Sequence, residues 1–144
     1  MNENRNDERA RPPADSMFLL LRAAETVQGQ LETELGAVGL SMPKYSVLTQ
    51  LVNSGEPLAL CDLATRLACV RSNVTQLVDR LEADGLVRRT DDPGDRRSVR
   101  AEITTRGRDR QAAGAKKVEA VQAEFESTLG TDRAALSRVL ASFV

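Results

Sequence analysis

Apolar residues return at three- and four-residue steps through most of this chain, and the places where that rhythm breaks mark its elements. From Ser16, the run Leu20, Leu21, Ala24, Val27, Leu31 and Leu35 predicts a long amphipathic helix, capped by Asp15 or Ser16 and ending near Gly36 or Gly39. Ser41, with Pro43 in the first turn, opens a second helix carrying Tyr45, Val47, Leu48, Leu51 and Val52, which Asn53-Ser54-Gly55-Glu56-Pro57 closes. Leu58-Ala59-Leu60 is short enough to be a single edge strand. A compact helix from Asp62 to about Ala68 follows, with Leu63, Ala64 and Leu67 turned inward. After a tight turn, a helix from about Arg71 to Asp84 repeats Val74, Leu77, Val78 and Leu81 at i, i+3, i+4 and i+7. Gly85 supplies the left-handed residue that ends it, and Leu86 folds back onto its last turn.

The period then drops to two. Leu86 to Thr90 and Ser98 to Thr104 read as strands, the second alternating Val99, Ala101 and Ile103 with Arg100 and Glu102, around a turn at Asp91-Asp92-Pro93-Gly94-Asp95. Thr104 or Thr105 caps a further long helix with the stripe Val118, Val121, Phe125 and Leu129, and Gly130 ends it. A last amphipathic segment carries Leu136, Val139, Leu140 and Phe143. Residues 1–14 are charged, contain proline and show no periodicity, so a flexible arm is expected there.

Composition narrows the function classes. A chain of 144 residues, 41% hydrophobic and 3% aromatic, is expected to form one mainly helical domain around Leu, Val and Ala. No apolar run approaches the roughly 20 residues that cross a bilayer, and Met1 to Arg11 lacks the apolar stretch of an export signal, so a cytoplasmic protein without membrane contact is expected. The chain has no histidine, which removes the commonest general base and transition-metal ligand. No carboxylate pair, nucleophile with its base or glycine-rich phosphate loop can be assembled, so an enzyme is not expected, nor a cofactor or metal. Cys61 and Cys69 are expected as reduced thiols, Cys69 buried and Cys61 near a helix N-terminus where the dipole favours a thiolate.

The formal net charge of −1 hides an uneven distribution. From Arg96 to Arg110 six arginines (96, 97, 100, 106, 108 and 110) stand against Glu102 and Asp109, a local +4 that suits a phosphate-binding face or an ordinary solvated surface. The order helix, small strand, short helix, tight turn, polar-faced helix and two-stranded ribbon is that of a winged helix-turn-helix. Its longer helix would present Arg71, Ser72, Asn73, Thr75 and Gln76 to the major groove, where Arg matches guanine and Asn or Gln matches adenine. Arg80 lies a turn further on, placed for a phosphate. Arg96 and Arg97 fall at the tip of the wing, suited to a minor groove, with Asp95 expected to hold the Arg97 guanidinium.

The runs Asp62-Leu63-Ala64-Thr65-Arg66-Leu67, Arg71 through Val87, Asp92-Pro93-Gly94-Asp95-Arg96-Arg97-Ser98 and Ile103-Thr104-Thr105-Arg106-Gly107 resemble the MarR family of transcriptional regulators. The resemblance implies a mainly α fold with a small β-wing. The winged helix-turn-helix would span residues 41–104, flanked by dimerisation helices at 15–40 and 105–144. It implies a homodimer that reads a palindromic operator in double-stranded DNA, commonly as a repressor, with the Asp-x-Arg wing signature at Asp95 and Arg97. It also implies a pocket for a small amphipathic or phenolic ligand between the dimerisation helices and the winged module. Met42, Lys44, Tyr45 and Leu48 would line it with the first helix and the start of the long helix after Gly107; core packing is the competing reading of each. Two positions depart from the family's pattern: Val70 stands where Ser or Thr often caps the recognition helix, and Cys69 where a small aliphatic residue packs. Two alternatives remain open. One is thiol sensing through Cys61, although the family's peroxide-responsive members carry their cysteine in the first helix, where this chain has none. The other is a winged-helix module for protein contacts, which gives no reason to set Arg96 and Arg97 beside Arg71, Asn73 and Gln76.

Overall fold

The computed structural model describes residues 15–144, so the arm expected over residues 1–14 lies outside the described residues. The elements, in chain order, are α1 (Ser16–Gly36), α2 (Met42–Ser54), β1 (Leu58–Ala59), α3 (Leu60–Arg66), α4 (Arg71–Ala83), β2 (Val87–Asp92), β3 (Asp95–Ile103), α5 (Thr105–Leu129), a 3-10 turn (Gly130–Asp132) and α6 (Arg133–Ala141). The three strands form one antiparallel sheet in the order β1-β3-β2, with Leu58 opposite Ala101 and Val87 opposite Ile103. A mainly helical chain with a small winged sheet is therefore observed. Among the described residues no helix is long and apolar enough to cross a membrane.

Local chemistry sets the helix starts. Asp15 accepts the Met17 N–H at 3.2 Å, Ser41 accepts the Lys44 N–H at 3.4 Å and Thr104 accepts the Gly107 N–H at 3.0 Å. α3 begins two residues before the expected Asp62, because Leu60 leaves the edge strand and is buried as the first helical residue. The wing is longer than the alternation predicts. β2 runs on to Asp92 and β3 starts at Asp95, leaving only Pro93 and Gly94 at the tip, with an irregularity in pairing between Asp91 and Asp92. Arg96 and Arg97 accordingly sit in the first residues of β3, just behind the tip.

The core lies under the winged module. Val47, Leu48 and Leu51 of α2, Leu63 of α3, Val74, Val78 and Leu81 of α4, Leu86 and Val87, and Ala101 of β3 are all essentially inaccessible to solvent. α1 and α5 reach this core only where they cross it. Leu35 is the one buried residue of α1, and Gly114 of α5 lies so close to Tyr45, Leu40 and Leu35 that a Cβ there would fall 2.9 to 3.2 Å from them.

α3 and α4 end in the same way with different residues. Leu86 N–H bonds the Leu81 carbonyl and Gly85 N–H the Glu82 carbonyl, with Gly85 at φ +74°. Cys69 N–H bonds the Ala64 carbonyl and Ala68 N–H the Thr65 carbonyl, with Ala68 at φ +50°. Both are Schellman turns, which favour glycine at the left-handed position because a Cβ there crowds the following carbonyl. This turn also explains why Cys69 is exposed and not buried as expected: it is the residue leaving the turn, carried over the outside of the α3–α4 corner.

Two substitutions test these constraints by urea unfolding at one fixed protomer concentration. Ala68→Gly relieves the left-handed strain and is expected to stabilise the chain by roughly 1 kcal/mol. Gly107→Ala drives a Cβ into the Leu86 carbonyl and to 2.8 Å from the Ile103 Cγ1; a loss of about 3 kcal/mol is expected, because both neighbours are backbone or core.

Candidate nucleic-acid interface

α4 divides sharply between its two faces. Val74, Val78 and Leu81 are buried, while Arg71, Ser72, Asn73, Gln76, Asp79 and Arg80 are exposed along the other side. Thr75 differs from its neighbours: it is half-buried and its hydroxyl donates to the Arg71 carbonyl at 3.0 Å. The Val70 side chain caps nothing, and only its carbonyl enters the helix, accepting the Asn73 and Val74 N–H groups at 3.1 and 3.3 Å. The Arg71 and Ser72 N–H groups thus begin α4 without a side-chain cap, at the positive end of its dipole.

The wing packs on this helix through β2. Asp92 Oδ1 accepts the Gly94 N–H at 2.9 Å and its other oxygen pairs with Arg100 at 3.1 Å. The Gly94 N–H, followed by Arg100, holds the Asp92 carboxyl below the usual carboxylate range. Asp95 was expected to hold the Arg97 guanidinium. Instead its Oδ1 accepts the Arg97 backbone N–H at 2.9 Å, and among the described residues no ion pair joins the two side chains. The two-residue tip accounts for this: so tight a reversal turns the Asp95 side chain back along its own strand. Arg97 is therefore positioned through its backbone, with its guanidinium exposed.

The basic stretch from Arg96 to Arg110 does not form one surface. Arg100 is tied to Asp92 and Arg110 donates to the Val38 carbonyl at 3.0 Å, closing the end of α1. Arg106 and Arg108 are exposed on the first turn of α5, leaving Arg96 and Arg97 on the wing. Among the described residues, no ion pair engages Arg71, Arg80, Arg96 or Arg97.

One residue that positions these groups went unread in the sequence. Arg89 of β2 bonds Asp79 and Glu82 of α4, its Nη1 lying 3.2 Å from Glu82 Oε1, while its backbone N–H donates to Glu82 Oε2 at 2.9 Å. Asp79, then the further attraction of Glu82, raise its pKa above the usual arginine value. The alternation of β2 puts Arg89 on the face of Val87, toward α4, and Asp79 and Glu82 are spaced i, i+3 on the facing helix; those two periods together carry the signal.

The expected ligand-pocket residues part company. Met42 lines an apolar hollow of about 240 Å³ with Pro43, Ser46, Leu67, Cys69 and Leu77. Lys44 instead pairs with Asp84 at 2.7 Å, Tyr45 packs on Gly114, and Leu48 is wholly buried in the core. Cys61, the candidate redox thiol, is exposed on the first turn of α3, with Sγ 3.9 Å from Asp62 Oδ1.

The sequence model of the MarR family matches residues 40–99. The chain is 35% identical over 92 residues to the HTH-type transcriptional regulator PrsX of Escherichia coli, a match that covers 63% of this chain and 55% of PrsX. The matched segment thus spans little more than half the length of that relative. The solved structure of the transcriptional repressor CouR bound to a 23-mer DNA duplex aligns at a TM-score of 0.79 and 32% identity, covering 88% of this chain and 90% of that one. CouR from Rhodococcus jostii RHA1 bound to p-coumaroyl-CoA aligns at 0.77 and 29% identity, with 90% of each chain covered. Agreement in sequence along nine-tenths of a solved chain, on the same order of elements, shows more than a common fold: this chain belongs to the MarR family.

Proposed function

We propose that this chain is a sequence-specific DNA-binding regulator of transcription, a repressor that binds a palindromic operator as a homodimer and releases it when a small molecule binds. The observation that carries the reading is the pairing of an exposed Arg71, Asn73 and Gln76 on α4 with exposed Arg96 and Arg97 on the wing. The width of α4 fits a major groove, where those three side chains can match base edges, while the wing arginines reach the neighbouring minor groove. Ser72, between Arg71 and Asn73, and Arg80, a turn beyond Gln76, suit phosphates. Thr75 serves by its methyl face, since its hydroxyl is engaged, and Asp95 by setting the backbone of Arg97.

The dimer rests on apolar surface that the chain leaves uncovered. Met17 through Leu21 on α1, Phe125 on α5, and Val139, Leu140 and Phe143 at the C-terminal end are exposed, Phe143 by 75%. In a symmetric pair such surfaces meet their own copies and set two recognition helices about 34 Å apart, one turn of duplex. The ligand reading rests on the apolar hollow beside Met42, which lies between α2 and the α3–α4 corner. A molecule seated there separates α4 from its support, and CouR, which shares this order of elements, has been solved with p-coumaroyl-CoA bound.

Anisotropy titrations against DNA fragments selected by the protein itself, at two salt concentrations, check the reading. Binding is expected to weaken steeply with salt, and Arg97→Ala to lower affinity about tenfold on every sequence while flattening that dependence. Asn73→Ala and Gln76→Ala are expected to lose about 1–3 kcal/mol of discrimination at single base pairs. Wild-type affinity in all three variants overturns the assignment. Arg89→Met bears on positioning. With Asp79 and Glu82 released beside the DNA-facing side of α4, affinity is expected to fall about tenfold, while urea stability drops by no more than about 1 kcal/mol, as befits partly exposed ion pairs.

A further inference from the structure

Within the winged module, residues 41–104, only Val70 and Val99 are exposed among the large hydrophobic residues, and Val70 is the more exposed at 62%. The others stand on the terminal helices or at the C-terminal end, the surface assigned above to the proposed dimer. Val70 immediately precedes Arg71, Ser72 and Asn73, the exposed residues that open α4. It occupies the N-cap position with extended backbone, φ −71° and ψ 144°, and contributes no side-chain bond to the helix. Valine is among the poorest residues for that position, where Ser, Thr, Asp or Asn would bond a free N–H. It also gains little of the other benefit an apolar side chain brings, because 62% of its surface stays open to solvent. The residue thus serves the fold in neither way, although a better cap is a single substitution away, a pattern expected where local stability yields to function.

We infer that Val70 is a base-specificity residue whose isopropyl group packs on the 5-methyl group of a thymine in the major groove, beside the bases read by α4. The inference rests on the DNA-binding assignment above. Residues at the N-terminal end of a recognition helix approach base edges most closely, and the thymine methyl is the one apolar feature that the major groove displays. A β-branched side chain suits the contact, since its χ1 is already restricted and little freedom is lost on binding. The polar neighbours select donors and acceptors; Val70 adds a requirement for a methyl group that none of them can sense.

The test uses the full chain and its tightest selected operator, with thymines replaced one symmetric pair at a time by deoxyuridine, which pairs identically and lacks only the methyl. For the wild type, one thymine pair is expected to stand out, each replaced methyl weakening binding about fivefold in anisotropy titrations. Val70→Ser restores a hydroxyl cap and is expected to unfold at higher urea, yet to bind thymine and deoxyuridine operators within twofold of each other. Val70→Ala is expected to lose the discrimination without gaining the cap, which separates capping from methyl contact. Equal deoxyuridine losses in wild type and both variants, or no sensitive thymine at all, overturn the inference while leaving DNA binding in place. Failure to select any fragment overturns both readings.

Discussion

The Thr104 hydroxyl donates to the Gly85 carbonyl at 2.8 Å and accepts the Gly107 N–H at 3.0 Å, while the Thr104 N–H bonds the Leu86 carbonyl at 3.1 Å. These bonds gather four chain segments into one knot: the end of α4, the start of β2, the end of β3 and the first turn of α5. Gly107 lets the knot close, because any side chain there would occupy the place of the Leu86 carbonyl. Through it, the attitude of α4 and the wing is fixed relative to α5, the long helix that leads to the terminal apolar surfaces. In the proposed dimer, a change in the spacing of the two protomers would reach α4 through this hydrogen-bonded backbone.

α4 is held from outside more than it holds itself. Its N-terminus has no side-chain cap, and its acidic residues are drawn to Arg89 and Lys44 from β2 and α2. The pairs with Arg89 neutralise carboxylates on the helix that the proposed complex sets against phosphates, and they tie the wing to that helix. Each pair is partly exposed and modest in energy, so their value lies in orientation more than in stability. Val70 fits this picture, since the end of the helix that would come closest to DNA is the end where the fold places least demand on the side chain.

The distribution of burial is what supports the proposed pairing of two copies. Nearly all the inaccessible side chains belong to residues 35–103, and the terminal helices contribute little beyond Val121 and the close approach at Gly114. Helices of this length gain most of their stability from packing an apolar face, and among the described residues much of that face on α1 and α6, Met17 to Leu21, Val139 and Leu140, stays exposed. A second copy supplies one in the proposed assembly, which makes folding of the arms and pairing of the winged modules a single event.

The sequence by itself determined the elements, the stops at Gly55, Gly85 and Gly130, and the polar face of α4, because helical and strand periods and left-handed turns are local properties written in consecutive residues. The family was legible for the same reason, in contiguous runs through α3, α4 and the wing. Tertiary structure alone decided which arginines are available. Arg100 and Arg110 are consumed by Asp92 and by the Val38 carbonyl, the latter 72 positions away, and Arg89 is spent on α4. It also decided that Asp95 grips backbone and not a guanidinium, that Leu48 belongs to the core, and that Cys69 faces out. Each of these outcomes depends on partners distant in sequence or on the tightness of one turn. Charge and polarity fix what a side chain can bond; only the packed chain fixes what lies within 3 Å of it.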